Sequence, residues 1–139
     1  MGVMAAGLAK EIKTVYPEVY TIYRNWFENN YLSLGQLCCV PINNPNNSLW
    51  IANLCGQYNY GRSGCYTSYD ALTVALQALA NFISQRYILR DLPVYIPYNM
   101  GCGLAGGDWS RVKQIISEKI PEAIIVRLPK KGLNLCLLQ

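Results

Sequence analysis

Apolar positions along the first thirty residues recur at steps of three and four. Met4, Leu8, Ile12, Val15, Val19, Ile22, Trp26 and Phe27 make one stripe, which predicts helix over residues 3–29. Pro17 interrupts the pattern, and its missing N–H suits a helix restart, so two short helices are expected to meet near Tyr16-Pro17. The run Gln36–Ile42 (QLCCVPI) reads as a buried strand and Leu49–Leu54 as a second. The cluster Asn43–Ser48 between them is a turn, so the pair is expected to be a hairpin. Gly56–Tyr66 has no periodicity and reads as a loop. Thr67, with Asp70 three positions on, resembles a capping box. The helix after it carries Leu72, Ala75, Leu76, Leu79, Phe82 and Ile83 on one face. Pro93–Pro97 is a short strand limited by its prolines, and Asn99–Gly107 is a glycine loop. Asp108 is suited to cap a helix bearing Trp109, Val112, Ile115 and Ile116. Ala123–Leu128 is the last strand, and 132–139 form a short apolar tail. Helix, hairpin, helix, strand, helix, strand predicts a three-layer α/β/α domain with a mixed sheet over residues 1–131.

The chain has 139 residues, enough for one domain with its own core. Half of it is hydrophobic and little is charged, which excludes a disordered chain. No apolar run reaches the length of a membrane span, and the N-terminus lacks the basic region of a signal peptide, so a cytoplasmic, membrane-free protein is expected. A net charge of +4 is mild and its basic residues are scattered, which argues against nucleic acid as partner and suits a small anion.

Histidine is absent, which removes Ser-His-Asp and Cys-His catalysis and every His-ligated metal site. The six cysteines include no C-x-x-C pair, so neither a metal nor a redox motif is expected; adjacent Cys38 and Cys39 should point to opposite faces of a strand. The strongest local feature is Gly101-Cys102-Gly103-Leu104-Ala105-Gly106-Gly107-Asp108-Trp109, between a strand and a helix. Its glycines let backbone approach a ligand, and a helix start offers N–H groups to a phosphate. The same residues also suit a tight turn with no ligand. The letters match the dinucleotide fingerprint, but too little sheet follows for that fold, and no Gly-Lys-Ser/Thr makes a P-loop. Gly2-Val3-Met4-Ala5-Ala6-Gly7 at the start of the first helix could form a second wall, and Tyr58 and its neighbours could stack on a base or pack as an ordinary loop. Cys102 lies near a helix N-terminus, a setting that lowers a thiol pKa, but the side chain reads as a small packing residue rather than a nucleophile.

Three blocks in order, Gly2–Tyr20, Ile51–Tyr69 and Ile96–Trp109, resemble the macro domain superfamily. The resemblance is nearest to phage and bacterial members related to the ADP-ribose-1″-phosphate phosphatase and terminal ADP-ribose glycohydrolase branches. It implies that ADP-ribose or a derivative is held by Gly2, Val3, Met4, Ala5 and Gly7 in one loop and by Gly101, Cys102, Gly103, Leu104, Ala105, Gly106 and Gly107 in the other, with Gln57 and Tyr58 beside them. No cofactor is implied. In that family a strand ending in Asn precedes the first glycine loop, whereas here the first loop opens the sequence, so the N-terminal strands are expected to be missing. The glycohydrolase branch uses a Lys and an Asp where Gln57 and Ala105 stand, so its Lys route is not expected. Asp108 and Asp70 are the carboxylates nearest the site in sequence, Asp108 being the candidate for the catalytic carboxylate that a phosphatase would need, and both read first as helix caps. Phosphatase, non-catalytic ADP-ribose module or sponge, and inactive fragment all remain open readings.

Overall fold

The computed structural model describes residues 2–44 and 47–127. The elements, in order, are α1 (Gly7–Val15), α2 (Pro17–Glu28), β1 (Leu37–Asn44), β2 (Asn47–Leu54), α3 (Tyr69–Ser84), a 3-10 turn (Tyr87–Leu89), β3 (Tyr95–Pro97), α4 (Trp109–Lys119) and β4 (Ile124–Val126). Leu128 and the tail 132–139 lie outside the described residues, as do the central residues of the hairpin turn.

The hairpin forms as expected, with Leu37 opposite Leu54 through to Asn44 opposite Asn47. Cys55 N–H donates to the Gln36 carbonyl at 2.9 Å, which sets the phase of the ladder. Pro41, opposite Trp50, then falls at a pair whose N–H groups face away from the partner strand, so its missing N–H removes no rung. Both faces of the hairpin are covered. Cys38 and Val40 pack with Val19 and Tyr23 of α2, while Leu37, Cys39 and Leu54 pack with Leu72 and Leu76 of α3. That is why β1 reads as a continuous apolar run, and why adjacent cysteines serve two different cores.

The sheet differs from expectation. Among the described residues it is two pieces: the antiparallel β1–β2 hairpin, and a parallel pair in which Tyr95, Ile96 and Pro97 of β3 face Ile124, Ile125 and Val126 of β4. Ile96 is buried with Leu72, Leu76, Leu79, Val112, Ile116 and Ile120, so the Ile96 and Ile125 side of the parallel pair packs on α3 and α4, while Tyr95, Ile124 and Val126 stay exposed.

The N-terminal stripe also behaves differently. The chain leaves helical geometry at Tyr16 (φ −128°, ψ 71°) and restarts at Pro17. That break resets the helical phase. Met4 and Val19 are buried, whereas Leu8 and Val15 are 53% and 61% exposed and α1 buries no residue fully. The cap of α3 shifts by one residue: Ser68 is the N-cap and its hydroxyl accepts from Ala71 N–H at 3.2 Å, leaving Thr67 free for another role. Asp108 caps α4 as expected. Ser68→Ala should lower stability by about 1 kcal/mol in a denaturant titration.

Burial pushes the Cys38 thiol up to about 11 and that of Cys39 to about 12. In the unfolded chain both ionise near the usual value of about 8.5. The folded state therefore holds these protons more tightly, and the stability they contribute is intact below that value and lost as pH rises through 11 and 12. The melting temperature should stay flat from about pH 6 to 8 and fall above about 9. The fall should be shallower in Cys39→Ala.

Candidate functional site

The first glycine segment is anchored by α2. Gly2 N–H donates to the Tyr23 hydroxyl at 3.1 Å, and the Gly2 carbonyl accepts from Arg24 Nη1 at 2.8 Å. Met4 turns into the core beside Cys38 and Cys55, while Val3, Ala5 and Gly7 stay exposed. Ala6 sits at the N-cap of α1 and supplies no side-chain acceptor. Among the described residues the first N–H groups of α1 therefore have no side-chain cap, and the positive end of the helix is left open to an anion.

The second segment is tied to the loop after β2. Leu104 carbonyl accepts from Gly61 N–H at 3.0 Å, and Ala105 carbonyl accepts from Tyr66 N–H at 2.7 Å and Thr67 N–H at 3.1 Å. Gly106 N–H closes a tight turn onto the Gly103 carbonyl at 2.9 Å. At Gly106 φ is +65° and a Cβ would collide with the Gly64 carbonyl oxygen, so glycine is required there by both geometry and space. Among the described residues the N–H groups of Gly103, Leu104 and Ala105 donate to no backbone carbonyl. A trans peptide points its N–H opposite its C=O. With the Gly103 and Leu104 carbonyls engaged by Gly106 and Gly61, the N–H groups of Leu104 and Ala105 face away from those partners. A run of unengaged amides of this kind suits an anion.

The start of α4 does not add to that set. Asp108 Oδ1 accepts from Ser110 N–H at 2.7 Å and Arg111 N–H at 3.4 Å, so its own carboxylate covers the helix end. Asp108 N–H is taken by the Tyr69 hydroxyl at 2.9 Å. Tyr69 is held in turn beneath the Arg111 guanidinium, 3.8 Å from the ring centroid. The geometry gives Asp108 a capping role.

The end of β2 lies between the two segments. Cys55 shares a core cluster with Met4, and Gly56 and Gln57 line a cavity of about 70 Å³ with Thr67, Met100 and Gly101. That volume admits water-sized groups and no nucleotide. Gln57 Nε2 donates to the Asn59 carbonyl at 3.2 Å, Tyr58 is exposed, and Ala105 is buried. Thr67 was not among the residues singled out by sequence for the site; only its proximity to Gly101 across 34 positions reveals it.

Cys102 departs from the activated-thiol setting. Burial raises its pKa, the Asp108 and Cys65 charges raise it further, and its Sγ contacts the Met100 carbonyl at 3.3 Å. Among the described residues no three His, Cys, Asp or Glu side chains cluster as a metal site requires, and no helix is long and apolar enough to cross a membrane.

No protein-family model matches the chain, and no curated protein matches it. Solved structures do. The macrodomain of Mycobacterium tuberculosis DarG superposes with a TM-score of 0.71 and 25% identity over 94% of this chain and 83% of its own. A macrodomain protein from Streptomyces coelicolor matches with a TM-score of 0.71 and 26% identity over 94% and 82%. The chain belongs to the macro domain superfamily. A further match is Thermosipho africanus DarTG in complex with ADP-ribose, with a TM-score of 0.67 and 20% identity; it covers 96% of this macrodomain and 37% of that longer chain.

Alkylation at pH 8, followed by mass spectrometry, should label exposed Cys65 of this macrodomain well before Cys102. Labelling of Cys102 first would show that its thiol is activated after all.

Proposed function

We propose that this macrodomain binds ADP-ribose or a derivative across its two glycine segments. The observation that carries the reading is the pairing of an uncapped helix start at Ala6-Gly7 with the unengaged amides of Gly103, Leu104 and Ala105. Each can donate to a phosphate oxygen, and a diphosphate needs several such donors. Gly2, Val3, Met4, Ala5 and Gly7 form one wall and Gly101–Gly107 the other, with Gln57 and Tyr58 at the end of β2 between them. The complex of the Thermosipho africanus protein with ADP-ribose supports the same ligand class.

Binding is favoured over turnover. The carboxylate nearest the second loop in sequence, Asp108, is spent on the cap of α4. Gln57 cannot form a Schiff base with an opened ribose, and the methyl group of Ala105 cannot take a proton. Phosphate release from ADP-ribose-1″-phosphate remains the enzymatic alternative, because water is the nucleophile there.

A Cβ at Gly103 would meet nothing within 4 Å, so Gly103→Val is compatible with the fold while covering the open amides. Calorimetric titration should show ADP-ribose binding to the native chain and its loss in Gly103→Val, with little change in melting temperature. Unchanged binding would put the ligand elsewhere. Incubation with a glutamate-ADP-ribosylated peptide should release no ADP-ribose, and a covalent lysine adduct would overturn the argument from Gln57.

A further inference from the structure

Thr67 is a buried polar side chain, at 8% exposure. Its hydroxyl donates to the Gly101 carbonyl at 2.6 Å, and its N–H donates to the Ala105 carbonyl at 3.1 Å. It thus grips the second glycine segment at both ends of the stretch that contains the unengaged amides of Gly103, Leu104 and Ala105. The Gly101 carbonyl also accepts from Gly107 N–H at 3.0 Å, so the Thr67 hydroxyl sits where the loop closes on itself. On its other side Thr67 bridges to Gln57, and both line the small cavity at the end of β2.

Burying a hydroxyl gains little for folding, because the bond it makes only offsets the water it loses. Valine would fill the same volume, and the Gly101 carbonyl would keep its bond from Gly107. What valine cannot do is hold the peptide plane of Gly101–Cys102 at a second point. We propose that Thr67 is a positioning residue: its hydroxyl fixes the second glycine segment so that the Gly103–Ala105 amides are arranged for a phosphate before the ligand arrives. Preorganisation of this kind raises affinity by removing an ordering cost from binding. The ligand rests on the ADP-ribose reading, whereas the effect on the loop does not.

The test compares the native chain with Thr67→Val and Thr67→Ser. Affinity for ADP-ribose is measured by calorimetry below all three melting temperatures, and hydrogen exchange is followed at the Gly107 amide by NMR. Thr67→Val should bind about tenfold more weakly and exchange Gly107 faster, with a nearly unchanged melting temperature. Thr67→Ser should restore both properties. Native affinity and native exchange in Thr67→Val would overturn the proposal, as would a serine variant as impaired as the valine one. Should the native chain not bind ADP-ribose, that reading fails by itself, and the exchange rates still decide the role of Thr67: faster in valine and restored in serine supports it, unchanged in valine overturns it.

Discussion

Among the described residues two β-ladders that share no strand are joined by the apolar face of α3, and the rest of the structure depends on that contact. Leu72, Leu76 and Leu79 meet Leu37, Cys39 and Leu54 of the hairpin on one side and Ile96, Val112, Ile116 and Ile120 on the other. Backbone hydrogen bonding holds each ladder internally, but their relative placement follows from burial of side chains against one helix. Burial is non-directional, so the helix also needs a fixed start. Ser68 provides it, and Thr67, one residue earlier, is left to reach the second glycine segment.

The two glycine segments are built on different principles. The first is held at Gly2 by the hydroxyl of Tyr23 and the guanidinium of Arg24, and its open amides belong to a helix with alanine as its cap residue. The second is a loop whose carbonyls are engaged in turn by Gly61, Tyr66, Thr67, Gly106 and Gly107, which leaves its central amides facing elsewhere. Capping chemistry separates them further. Alanine leaves the start of α1 available to an anion, while Asp108 closes the start of α4 with its own charge. A helix start offers a phosphate site only where the chain has not already supplied the acceptor.

Much of this architecture was legible in the residue pattern. Pro17 marked the restart between two helices, the QLCCVPI run marked a strand buried on both faces, and Asp108 marked a helix start, because each of these signals acts within a few residues. The order of the three blocks carried the family resemblance. The single apolar stripe of the N-terminal segment does not translate into one buried face, because the break at Tyr16 resets the helical phase and leaves Leu8 and Val15 exposed. The α3 cap falls one position later than the Thr67-Asp70 spacing suggests, since Thr67 and Ser68 offer the same hydroxyl and only their surroundings distinguish them.

By itself the sequence determined which segments are helix and strand, the absence of imidazole chemistry, and the two glycine segments as candidate ligand walls. Those properties depend on side-chain identity and on neighbours close along the chain. Tertiary structure alone decided that Thr67 closes the loop at Gly101, that Cys102 is a half-buried contact whose thiol pKa is raised, and that among the described residues the ladders remain two pieces. Each of these depends on groups brought together from distant positions, where burial and the direction of a single hydroxyl or carbonyl decide the chemistry, and nothing in local spacing encodes that direction.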